Sequence, residues 1–382
     1  MPRLDYDPQD TEWLQRLPEA RAVYTLRLHA GEPLMGQTAD LRRRLERYLA
    51  PATEAPSGRQ RPVDLRAQAA GVEYQLANSG WEAQWLLYQN LRREFPGDYR
   101  RRLRLRRPVY LKLTQENEFP RLTLTRRMHR SAGRVQPLLF GPLPSPARAR
   151  RLAEAWLDEI HLRRCQPDLH PDASFPGCVF SEVKLCPAPC NFGCSREDYA
   201  GLVMRMRENL ASRGATLLEQ LSREREACSQ ACDFERAAAL HQRWQRLQKQ
   251  LRSLPAVAAT AAARAVLALP GPADQPGTGQ LFLWQDAGLR GPLTVAAEAD
   301  AQDLADALSR LGALPAPAAG QRADHAALLL RWMRRTRRIG DWLDWPREET
   351  ALPARLEECL RRMTKGKSAG VMDHQIRFKV RG

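Results

Sequence analysis

No stretch of this chain approaches the roughly eighteen consecutive apolar residues that a membrane-spanning helix needs. The first residues carry acids and prolines, with no basic stretch leading into an apolar one, so no secretory leader is read there. A soluble, cytoplasmic protein with no membrane partner is the expectation. Lysine is also scarce: only six (112, 184, 249, 365, 367 and 379) stand among sixty basic residues, the rest being arginine. Residues 276–345 lack the dense set of strand-borne carboxylates that two-metal hydrolysis requires. Disulfide staples are not called for, because 382 residues leave room for about two or three domains that each bury a core.

What the chain does have is positive charge. A formal charge of +16 and a pI near 10 suit a polyanion, since each phosphate neutralised by a basic side chain releases a counterion. The arginines are clustered, in "RRRLRLRRP" (100–108) and "RWMRRTRRIG" (331–340), which favours nucleic acid as the partner. Five of the eight cysteines fall between Cys165 and Cys194. In a reducing compartment such crowding reads as a metal or cluster site.

The pattern of elements suggests an α/β (α+β) protein. "AVYTLRL" from Ala22 alternates as a strand, "HAGEP" turns, and "TADLRRRLERYL" places Leu41, Leu45, Tyr48 and Leu49 on one helical face with Thr38 as the cap. "VEYQLAN" and "WEAQWLLYQNLRREF" read as a second strand and helix. Residues 1–18 read as a loose acidic tail, 19–105 as a small α/β domain, and 106–198 as a strand pair followed by the cysteine-rich region. Residues 199–254 read as an antiparallel helical hairpin with Leu240, Trp244, Leu247 and Leu251 as its stripe, Asp233 capping its second helix. An Ala/Pro/Gly-rich linker (255–275), a small α+β module (276–345) and a basic tail (346–382) complete the reading.

Taken in order, these segments resemble the N-terminal part of the UvrC/Cho family, the incision proteins of bacterial nucleotide excision repair. "AVY" stands where that family has its GIY tripeptide and "LMG" where it has YIG. "GQTADLRRRL", "LLYQNLRREFPGDY", "PVYLKLTQENEFPRLTLTRR" and "LLFGPLPS" follow as the family's later segments do. The resemblance covers about Ala22 to Leu254. It implies a GIY-YIG-type nuclease domain in which Tyr24 and Arg44 match catalytic residues. Leu34, Gln37 and Tyr88 stand where the family has a tyrosine, a lysine and a metal-binding glutamate. Leucine moves no proton, glutamine carries no charge for a phosphate, and tyrosine is a poor magnesium ligand. Glu82 and Glu94, each six residues from Tyr88 on one helix, lie roughly 120° off its face.

The resemblance further implies that Cys165, Cys178, Cys186 and Cys190, spaced C-x12-C-x7-C-x3-C, hold an iron–sulfur cluster of the 4Fe–4S type. Zinc and free thiols remain the alternatives, with Cys194 a spare. "CDFERAAALHQRWQRLQ" resembles the UVR motif, so Phe234, Glu235 and Ala238 are expected to meet a UvrB-like partner, and His241 only to pack. Arg42, Arg43, Arg100, Arg101, Arg102 and Arg104 are the expected DNA contacts. The leading expectation is a repair protein that binds DNA and its partner with incision lost or reduced. An active single-strand endonuclease using magnesium or manganese in a rearranged site, and a hairpin adaptor with incidental DNA binding, are the alternatives.

Overall fold

The computed structural model describes residues 2–10, 12–49, 65–128, 138–165, 168–260, 262–335, 338–345 and 351–364. The first unit is built on a four-stranded antiparallel sheet. Its elements are β1 (Arg3–Asp5), β2 (Ala22–Leu28), β3 (Leu34–Thr38), α1 (Leu41–Leu49), β4 (Ala69–Leu76), α2 (Gly80–Glu94) and the short α3 (Tyr99–Arg102). The strands are ordered β1-β4-β2-β3. The N-terminal segment is not the loose tail expected: Arg3–Asp5 pairs with β4, and Trp13 and Leu17 are buried. Acidic composition concealed an apolar anchor there, since Trp13 also donates its indole N–H to the Asp5 carbonyl.

Helix α1 buries Leu41, Leu45 and Leu49, the face its spacing called for. Its cap differs from the expected Thr38. The Asp40 carboxylate accepts the Arg43 N–H at 3.0 Å, while the Thr38 hydroxyl accepts the Asp40 N–H. Helix α2 begins at Ser79, whose hydroxyl accepts the Glu82 N–H.

A second sheet, ordered β6-β5-β7-β8, carries β5 (Val109–Leu113), β6 (Leu122–Thr125), β7 (Leu138–Leu143) and the short β8 (Ala259–Thr260). Helix α4 (Pro146–Leu157) packs on it, and the cysteine-rich segment with the short α5 (Val179–Glu182) follows. Three helices come next: α6 (Arg196–Ala211), α7 (Ala215–Gln230) and α8 (Phe234–Arg252). The expected hairpin is α7 with α8, and the helical run before it is broken once more at Ser212–Gly214, where Arg213 and Gly214 are both left-handed. Leu240, Leu247 and Leu251 pack into the core of this second unit, with Trp244 against its edge.

The stretch 255–275 is not a linker. It supplies β8 and then β9 (Ala265–Pro270), a central strand of a third sheet ordered β11-β10-β9-β12. Residues 265–269 are almost wholly buried, as in a strand covered on both faces, which reads as a continuous apolar run rather than an alternating one. The hairpin of β10 (Thr278–Gln285) and β11 (Gly288–Ala296), the helices α9 (Ala301–Ala313) and α10 (Ala319–Met333), and β12 (Asp341–Asp344) complete the sheet and its cover. The expected tail is in part helix α11 (Ala351–Thr364), which buries Leu352, Leu356, Cys359 and Leu360. The remainder of that tail, 346–350 and 365–382, lies outside the described residues.

Candidate functional site

On the paired strands β2 and β3, Tyr24 stands opposite Gly36. A Cβ at position 36 would sit 2.7 Å from the Tyr24 hydroxyl, so only glycine admits the tyrosine ring there. Tyr24 is buried beside Tyr48, with Arg44 close by; burial first and then Tyr48 raise its pKa well above the ordinary tyrosine value, and Arg44 opposes the rise. A phenol that holds its proton this tightly is a weak general base. Leu34 packs against the same cluster. Gln37 is half-buried on β3 opposite Val23.

Tyr88 is elsewhere. It belongs to a different cluster, which α2 shares with the third unit. Its ring lies 5.7 Å from Trp85, 5.9 Å from Tyr99 and 5.8 Å from His325 of α10. Burial, then the nearby Asp324 carboxylate, push its pKa up to about 12. Trp81 and Trp85 of the same helix pack edge-on against Phe282 of β10. The Gln84 side chain donates to the Leu328 carbonyl, so this face of α2 is bonded as well as packed.

Neither nearby carboxylate is placed to stand in for a metal ligand. Glu82 is buried and accepts the Asn78 N–H at 2.7 Å, bracing the start of α2. Glu94 pairs with Arg27 at 2.6 Å, which also binds Glu73.

The expected DNA-contacting arginines divide. Arg42 is tied to the N-terminal segment through the Leu17 and Gln15 carbonyls and Glu19. Arg100 crosses to the third unit, donating to the buried Asp324 at 2.8 Å, and the Tyr99 hydroxyl donates to the same carboxylate at 2.6 Å. Arg102 pairs with Asp98 and Glu32 and covers the Phe95 ring. Arg101 pairs with Asp98 but stays largely exposed, and Arg43 and Arg104 are exposed. The second arginine cluster also serves packing: Arg331 donates to the Leu103 and Arg104 carbonyls and Arg335 to the Gly80 carbonyl, while residues 336 and 337 lie outside the described residues.

The cysteine segment carries the four candidate ligands, each half-buried. Burial raises the Cys186 pKa to about 11, and Cys165, Cys178 and Cys190 each add to the rise. Among the described residues no group of three or more His, Cys, Asp or Glu side chains is placed to hold a metal ion. Backbone conformation shapes the segment: Lys184, Ala188 and Phe192 are left-handed. Cys165 Sγ accepts a hydrogen bond from the almost fully buried Arg163 at 3.3 Å, and Arg163 also donates to the Phe119 carbonyl. Cys194 packs at the edge of the second core instead.

Residues 108–209, which hold β5 to α6 and all four of these cysteines, match the UvrC/Cho excinuclease middle-domain family. This segment is similar to the UvrC/Cho middle domain. The similarity extends further along the sequence. The chain is 30% identical to the UvrABC system protein C of Carboxydothermus hydrogenoformans over 243 residues, 63% of this chain and 38% of that protein. The corresponding protein of Ruegeria sp. is 29% identical over 233 residues, 60% of this chain and 35% of the relative. That of Sphingopyxis alaskensis is 30% identical over 232 residues. The chain thus matches little more than a third of the length of these curated relatives. No solved structure matches it.

Beyond the UvrC/Cho middle domain, the α7–α8 hairpin ends in an exposed tip. Cys232 is left-handed, and the Asp233 carboxylate caps α8 by accepting the Arg236 N–H. Phe234 is 67% exposed, and Glu235 and Ala238 are exposed beside it. His241 stacks on Trp244 and meets Arg225 and Gln245. No helix of the described residues is long and apolar enough to cross a membrane. What the sequence did not reveal is the use of α2 as an interface, because the partners of Tyr88 and Trp81 come from more than two hundred residues away.

Proposed function

We infer that this chain is a UvrC-like nucleotide excision repair protein that binds DNA and a UvrB-like partner while leaving strand incision to another protein. The observation that carries the reading is the surroundings of Tyr88. Where the family has a metal-binding glutamate, this chain has a phenol enclosed by Trp85, Tyr99 and His325, with Glu82 and Glu94 both engaged elsewhere. An aromatic core of this kind excludes water and offers no oxygen set for a hard divalent cation.

The donor chemistry of Cys165, Cys178, Cys186 and Cys190 suits an iron–sulfur cluster, since four soft thiol donors lie in one short segment. When bound, such a cluster supplies cross-links that brace an otherwise loop-rich segment. Arg163 would sit beside it as a buried cation offsetting thiolate charge. The exposed Phe234 tip of the α7–α8 hairpin supports docking of a like hairpin, an aromatic anchor in a small-residue setting.

A second reading, an endonuclease with a rearranged site, draws on the Tyr24, Tyr48 and Arg44 group, which keeps its arrangement around Gly36. The test of both is strand nicking with magnesium or manganese on a lesion-bearing duplex in the presence of UvrB. No nicking by protein that binds the duplex supports the scaffold. Nicking abolished by Arg44→Ala supports the endonuclease.

A further inference from the structure

The second unit holds a cleft of about 590 Å³ that the expected arginine clusters do not touch. Its walls are the β5–β6 hairpin, α4 and the segment leading into Cys165. Lys112 and Arg121 project from the hairpin, Arg150 from α4, and Arg163 and Arg164 from the segment before Cys165. Five cations therefore face two carboxylates, Glu116 and Asp168, and Glu116 is already paired with Lys112.

The floor of the cleft is the unusual part. The Arg163 residue is 2% exposed, and the Arg164 side chain is 15% exposed with its Nε buried and lacking a hydrogen-bond partner. Guanidinium groups removed from water are costly unless an anion compensates them. Arg163 donates to Cys165 Sγ and to the Phe119 carbonyl, and Arg164 pairs with Asp158. Arg150 is exposed at the mouth of the cleft.

We propose that this cleft is a phosphate-binding groove for the backbone of a nucleic acid strand, reading no bases. The inference deepens the DNA-binding part of the proposed function and rests on it. The cations are spread over three elements rather than converging on one point, which suits phosphates repeating along a strand better than one small anion. Among the described residues no aromatic side chain lines the cleft, which gives them no platform for base stacking. Contacts to phosphate fix register and contribute salt-dependent affinity without sequence preference.

The experiment compares two variants of the full chain that lose equal charge: Lys112→Gln/Arg150→Gln in the cleft, and Arg310→Gln/Arg355→Gln on exposed helices of the third unit. A labelled duplex and the same strand unpaired are titrated over a range of about 50 to 200 mM salt, where each phosphate contact contributes ~0.7–0.9 to the slope of log K against log salt. The proposal expects the cleft variant to lower that slope by about one to two and to weaken binding roughly tenfold at the low-salt end, equally for unrelated sequences, with the control pair much less affected. Equal losses in both pairs would overturn the groove while leaving DNA binding intact. So would inorganic phosphate that binds the cleft without displacing DNA. Wild-type protein that binds neither probe would overturn the DNA-binding reading itself, and the groove with it.

Discussion

Tyr88 of α2 and His325 of α10 meet edge to face, with ring centroids 5.8 Å apart, in a core that joins the first and third units. His325 is 4% exposed, and its Nδ1 accepts the Leu289 N–H at 3.2 Å. Tyr88 is therefore part of a structural joint between the first and third units. Each consequence of that arrangement can be measured.

Burial lowers the His325 pKa to about 4; Asp324 opposes the shift and Arg92 reinforces it. The folded state thus holds this imidazole neutral while an unfolded histidine titrates near its ordinary value of about 6.5. Stability from this group is complete above about pH 6.5 and declines as the pH falls toward 4, by an amount on the order of 3 kcal/mol at most. Urea melts at pH 7.5 and pH 5 should show this loss in the wild type and a smaller one in His325→Gln, which keeps an acceptor for Leu289. Equal pH dependence in the two proteins would exclude His325 as its source.

Asp324 is the polar counterpart of the same joint. Its buried carboxylate takes hydrogen bonds from the Tyr99 hydroxyl and from Arg100, and both partners belong to the first unit. Asp324→Ala strands a buried phenol and a half-exposed guanidinium, at a cost of about 2–4 kcal/mol. Limited proteolysis should then release the third unit faster. Unchanged proteolysis and melting would show that the joint holds without this carboxylate.

The hairpin tip should behave in the opposite way. Phe234 is exposed, so Phe234→Ala should change stability by less than about 0.5 kcal/mol. Its affinity for a UVR-bearing partner, measured by titration calorimetry, should fall at least about tenfold, in keeping with an aromatic anchor. Full affinity in the variant would place docking elsewhere on the chain.

How much of this was legible in the sequence differs between regions. Helix α1 was readable because a one-sided environment imposes a clear period, as Leu41, Leu45 and Leu49 show. Strand β9 was not, since "AVLALP" is buried on both faces and alanine-rich, with no alternation to mark it inside an Ala/Pro/Gly-rich stretch. The C-terminal helix α11 was hidden for another reason: its buried Leu352, Leu356 and Leu360 follow helical spacing but sit among arginines that read as a charged tail. The departure at Tyr88 was visible as a substitution against the family pattern. Its packing partners were not, because they arrive through tertiary contacts from α10 and β10, for which no local signal exists.

The four candidate ligand cysteines give a direct chemical test. Cys186→Ser should lose most iron and sulfide from anaerobically purified protein, together with its visible absorbance, whereas Cys194→Ser should retain them, because Cys194 packs at the core edge. Zinc in place of iron and sulfide in the wild type would overturn the cluster assignment.

The most direct test of the central claim is nicking of a lesion-bearing duplex by the full chain with UvrB and magnesium or manganese, in a preparation whose duplex binding is measured alongside. The account predicts binding without cleavage, for the wild type and Tyr88→Phe alike. Cleavage by the wild type that disappears in Arg44→Ala would contradict it, and would mean that the group around Tyr24 still cuts.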